Sequence, residues 1–137
     1  MAVVVELIRS EENGTISFGD YTLGVKSKLD NFEHAGDIYK VKTFGEITKL
    51  EKNGMFTYES VPGTAVMNMK ATQDGMEFEV EGLEDAEITL GLAEATEYQV
   101  SVDGNDVGRM KTNLGGKLTI SVELNADAVV LVKAERV

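Results

Sequence analysis

Four carboxylates stand out by type and spacing. Glu77, Glu79 and Glu81 alternate along one short segment, and Asp103 lies in an Asp-Gly turn further on. In an extended strand such alternate side chains share a face, roughly 6.5–7 Å apart. That spacing overlaps the one at which two carboxyl groups flank the bond cut by inverting glycoside hydrolases. The same oxygens suit a hard cation. A second oxygen-rich group is Asp103, Asn105 and Asp106 within Asp103-Gly104-Asn105-Asp106. It departs from the calcium-loop spacing and lacks the bidentate Glu that closes such loops. His34, the single histidine, is a candidate acid or base because imidazole titrates near neutral pH. Each has a plainer counterpart. The glutamates read as a wet strand face with Lys70 or Lys111 across from it, the aspartates as a hairpin turn, and His34 as a loop residue. The plainer readings are favoured, so no catalytic, cofactor or metal set is assigned.

The elements that must carry these groups are strands. Period-2 alternation recurs, while helical spacing is nearly absent. Lys117–Leu124 places Leu118, Ile120, Val122 and Leu124 on one side, and Gly75–Gly82 places Met76, Phe78 and Val80 opposite the glutamates. Ala86–Leu92 and Glu97–Asp103 alternate likewise. Further strands are expected at Ala2–Ile8, Thr15–Phe18, Lys26–Glu33, Asp37–Thr43, Met55–Ser60, Thr64–Ala71 and Ala128–Lys133. Phe44, Ile47 and Leu50 are three apart and break the pattern, as a bulge or a helical turn would. Asn13-Gly14, Asn53-Gly54, Pro62-Gly63, Asp74-Gly75, Asp103-Gly104 and Gly115-Gly116 mark turns; Asn-Gly and Asp-Gly supply the positive φ of tight hairpins. The fold class is therefore all-β: an antiparallel β-sandwich of two packed sheets with roughly 10–13 short strands. One domain over 1–137 is expected, with a soft internal boundary near 82–85, because either part alone would have a marginal core.

Composition removes several functions. The 137 residues contain no Cys and one His, which excludes thiol chemistry, disulfides and a multi-histidine metal site within one chain. A hydrophobic content of 42% argues against disorder despite a net charge of −11. That charge disfavours nucleic acid and anionic membranes as partners. It is unevenly spread: Ala71–Gly108 holds 11 acidic residues and no Lys or Arg, and the rest of the chain is balanced. Six of the ten lysines (Lys26, Lys28, Lys40, Lys42, Lys49, Lys52) lie in the first half. Such asymmetry orients subunits or docks a basic partner. The apolar run Ala2–Val5 is too short for a signal or span, so a cytoplasmic location is expected.

Phe56 and Tyr58 share a face on this alternation, as do Met67 and Met69 on the next strand. These four are the candidate apolar ligand or subunit contact. Ala2–Val5 and Val129–Val132 are apolar enough to pair between chains.

Two stretches carry a resemblance. Lys40–Gly63 (KVKTFGEITKLEKNGMFTYESVPG) and Tyr98–Leu124 (YQVSVDGNDVGRMKTNLGGKLTISVEL) resemble short bacterial proteins labelled endosialidase or endosialidase-like. The second stretch is also similar to C-terminal β-sandwich modules of polysaccharide-processing enzymes. Sialidases carry an arginine triad and Asp-box motifs; here the arginines are Arg9, Arg109 and Arg136, and the box keeps Ser101 and Asp103 alone. The module pattern is structural, and the resemblance implies a sandwich fold. The expected function is a non-catalytic binding or assembly module that forms a homo-oligomer and meets a glycan or a basic protein surface. The alternatives are a small glycoside hydrolase using Glu77, Glu79, Glu81 or Asp103, and a carbohydrate-binding module, which would need two exposed aromatic rings.

Overall fold

The computed structural model describes residues 3–137. Thirteen strands follow one another: β1 (Ile8–Ser10), β2 (Ile16–Phe18), β3 (Ser27–His34), β4 (Asp37–Phe44), β5 (Ile47–Lys52), β6 (Met55–Val61), β7 (Ala65–Thr72), β8 (Gly75–Glu81), β9 (Ala86–Gly91), β10 (Glu97–Val102), β11 (Asn105–Lys111), β12 (Lys117–Val122) and β13 (Val130–Arg136). They form two packed antiparallel sheets. One runs β1-β2-β7-β8-β13-β10-β11, the other β12-β9-β6-β5-β4-β3. Strands from both sides of residues 82–85 contribute to each sheet. Among the described residues no helix is long and apolar enough to cross a membrane.

Tight turns follow the local chemistry. Ala35-Gly36, Asn53-Gly54 and Asp103-Gly104 each take positive φ at both residues, the mirror-image geometry that matches strand twist. Phe44–Leu50 is neither a bulge nor a helical turn. Gly45 and Glu46 are a two-residue turn that brings Phe44 opposite Ile47, so the spacing of three is that of a hairpin.

The expected strand Ala2–Ile8 is corrected as well. Ala2 lies outside the described residues. The Leu7 N–H bonds the Val4 carbonyl at 2.9 Å, and Leu7 has φ of 74°, so a turn precedes β1. Val4 then packs with Tyr21, Ala65 and Met67 in a small cluster of its own. Val129–Val132 offers no pairing edge either, since β13 is hydrogen-bonded by β8 on one side and β10 on the other.

The core lies between the sheets and is filled by the inward alternate residues. Phe18 of β2 and Phe78 of β8 meet Tyr58 of β6 edge to face, with centroids 5.3 and 5.5 Å away. Tyr58 is fully buried, and its hydroxyl bonds Thr64 Oγ1 at 2.8 Å. Ser60 reaches the same atom at 2.7 Å. Thr48 Oγ1 donates to the Thr64 carbonyl at 2.8 Å and accepts the Thr64 N–H at 3.1 Å. Thr43 continues the chain to Thr48 and accepts the Asp20 N–H. This network ties β4, β5 and β6 to the crossover into β7. Tyr58→Phe removes one buried bond and is expected to cost about 1 kcal/mol, read as a lower urea midpoint at unchanged slope.

Candidate functional site

The three glutamates do point outward from β8. Glu77 lies between Lys70 of β7 and Lys133 of β13, Glu79 between Met67 and Leu131, and Glu81 beside Ala65. Glu79 Oε1 accepts from Asn68 Nδ2 at 3.4 Å. Glu81 is 8% exposed. Burial chiefly raises the Tyr21 phenol, with Glu81 and Asp20 adding to it. A trough of about 420 Å³ runs past Asn13, Thr15, Asn68, Lys70, Glu77 and Glu79. Glu77 and Glu79 share its floor on one strand, so they stand side by side rather than facing each other across a bond. Asp103 is apart from them: Leu131 bonds its backbone and, at 2.8 Å, its Oδ1, and β13 separates it from β8. Asp106 Oδ1 accepts the Gly108 N–H at 2.7 Å and the Gln99 amide. Those turn oxygens are thus used within the fold, and no metal-holding cluster of His, Cys, Asp or Glu occurs among the described residues.

His34 ends β3 instead of sitting free in a loop. Its Nε2 donates to the Gly14 carbonyl at 3.0 Å, which leaves Nδ1 to accept the Ser10 hydroxyl at 2.7 Å. A carbonyl only accepts, so the proton must sit on Nε2. The ring latches the β1–β2 hairpin of one sheet to β3 of the other. Ser10 and His34 are 24 residues apart, and nothing in the local pattern joins them.

The expected apolar contact does not form one surface. β6 and β7 belong to different sheets, and each carries a bulge. Pairing passes from Leu50↔Tyr58 to Glu51↔Phe56, so Thr57 is the extra residue. Tyr58 therefore faces the core and Phe56 the outside. Asn68, with φ of 54°, similarly turns Met69 into the core and Met67 into the outer cluster.

Register instead assembles a group with no local signature. Lys28 pairs with Lys42, Lys42 with Lys49, and Lys49 with Glu59 across β3, β4, β5 and β6. Lys40 lies opposite Glu51 in the neighbouring outward row. Lys26 Nζ sits 5.8 Å from the Phe44 ring, and Lys117 Nζ sits 4.6 Å from Phe56. None of Lys26, Lys28, Lys40, Lys42 or Lys49 joins an ion pair among the described residues, whereas Lys52 binds Asp37 at 3.6 Å. Lys42 is held below the usual lysine range by burial first, then by Lys26, Lys49 and Lys28, with Glu59 opposing. The acidic block behaves in the opposite way. Its residues spread over β8, β10 and β11 of one sheet, β9 of the other and the turns and loops between them, with β13 between β8 and β10. Register thus builds a basic cluster on this acidic protein.

No protein-family model, no curated protein and no solved structure matches this chain.

Beside the trough, the Ser17 hydroxyl chiefly holds the Glu11 carboxyl below its usual range, against partial burial and with help from Arg9 at 3.1 Å. A folded pKa below the unfolded one stabilises at neutral pH and loses that contribution as the pH falls through the folded value. Glu11→Gln is therefore expected to melt below the native protein at pH near 7 and to converge with it in acid; paired thermal melts across pH check this.

Proposed function

We propose that this protein is a non-catalytic binding module that takes an acidic glycan on the outer face of its six-stranded sheet. The observation that carries the reading is the row Lys28–Lys42–Lys49. Like charges directly opposite one another in a sheet are destabilising; among the described residues none of the three joins an ion pair, and Glu59 opposite Lys49 is the carboxylate in register with the row. A surface kept in that state gains when an anion covers it.

The remaining side chains of the face favour a glycan over other polyanions. Phe44 and Phe56, each partly exposed, lie on opposite sides of the lysine row and offer apolar faces to sugar rings. Ile47 and Val61 extend the apolar margin beside Phe44. Thr89 and Thr119 continue the lysine row with a hydroxyl pair 2.9 Å apart. A densely charged nucleic acid would meet the long-range repulsion of the whole molecule, whereas a glycan with sparse charges and apolar ring faces meets less of it. Self-assembly is the competing occupant, with the acidic surface of a second copy covering the lysines.

Dextran sulfate of low substitution, so that its charges are sparse, and neutral dextran form a matched pair of probes. Dextran sulfate is expected to bind, with affinity falling as salt is raised, and Phe56→Ala is expected to weaken it severalfold. Dextran is expected not to bind. Equal binding of both polymers, or none of either, counts against the reading. Salt-sensitive self-association in sedimentation, with neither polymer bound, would assign the face to a second copy.

A further inference from the structure

We infer that the hollow between Lys28, Lys40, Lys42 and Lys49 is a site for one tetrahedral oxyanion, a sulfate ester or a phosphate group. The inference rests on the reading of that face as the binding surface and names the group that anchors there. The hollow measures about 120 Å³, and Glu51 is the one acidic residue on its rim. Since a water occupies about 30 Å³ in the liquid, the space suits one such oxyanion.

Three adjacent strands supply the four ammonium groups. Cross-strand neighbours stand about 5 Å apart, close enough for neighbouring ammonium groups to share a tetrahedral anion's oxygens. A planar carboxylate offers two oxygens and one charge, and leaves most of the crowding in place. A sulfate ester offers three terminal oxygens to the same donors, and a phosphate group offers three with up to twice the charge. Lys42 is the centre of the arrangement, flanked by Lys28 and Lys49, with Lys26 beyond and Glu59 the nearest opposing charge. An anion in the hollow favours its protonated form, so binding is expected to weaken in alkali as Lys42 loses its proton.

Lys42→Met tests the site because it keeps most of the stem and deletes the charge. Isothermal titration with sodium sulfate, inorganic phosphate and acetate at one ionic strength is the primary measurement. Sulfate and dibasic phosphate are expected to bind more tightly than acetate, and Lys42→Met is expected to lose about tenfold in affinity for both. The variant is also expected to melt about 2 °C higher, through relief of like-charge crowding, which a merely structural lysine would not do. Lys111→Gln, on the far sheet, is expected to bind as the native protein does. Sulfate bound equally by native protein and Lys42→Met overturns the inference. If dextran sulfate still binds Lys42→Met at native strength, the hollow fails and the face stands. If inorganic sulfate binds but the polymer gains nothing over it, the hollow stands and the glycan reading fails. Inorganic phosphate bound tightly with dextran sulfate ignored assigns the site to free phosphate.

Discussion

The packing of the sandwich is organised around Tyr58, whose hydroxyl must be satisfied in a dry interior. The ring fills the centre of the sandwich between Phe18 and Phe78 of the opposite sheet, and the phenol is pushed well above its usual pKa by full burial. A buried hydroxyl without a partner costs more than a bond returns. Thr64, Ser60, Thr48 and Thr43 meet that demand, and each belongs to a strand or crossover whose position is thereby fixed. Slipping β5 or β6 by one residue would turn Leu50 or Tyr58 outward and break the chain of hydroxyls together.

That register also determines the outer surface. Two inward rows, Val41–Leu50–Tyr58–Leu90 and Thr43–Thr48–Ser60–Ile88, are set by packing and hydrogen bonding. The row between them must point outward, and it reads Lys42–Lys49–Glu59–Thr89. The lysines are aligned because the core is aligned. Repulsion among them is small beside the burial that holds the strands, so the sheet can carry a surface that its own charges would not select.

Much of the strand pattern was legible because alternation is local. Lys117–Leu124 and Gly75–Gly82 each show their buried face in consecutive residues, and Asn53-Gly54 and Asp103-Gly104 announce their turns. Pairing is not local. The glutamates of β8 and Glu97 of β10 look like one block in the chain, yet β13 comes between them from the far end of the sequence. The Thr57 and Asn68 bulges reverse the facing that simple alternation assigns to Phe56 and Met67. Lys28, Lys42 and Lys49 become one feature only when three strands are laid in register, and Ser10 meets His34 only when the two sheets close.

The account reduces to a claim about which face works. Backbone amide shifts, followed by NMR while dextran sulfate is added, test it directly. The account predicts shifts confined to the outer face of the six-stranded sheet, centred on Lys28, Lys40, Lys42, Phe44, Lys49, Phe56 and Glu59. Shifts centred on Asn68, Glu77, Glu79 and Leu131 would place binding in the trough of the opposite sheet and contradict it.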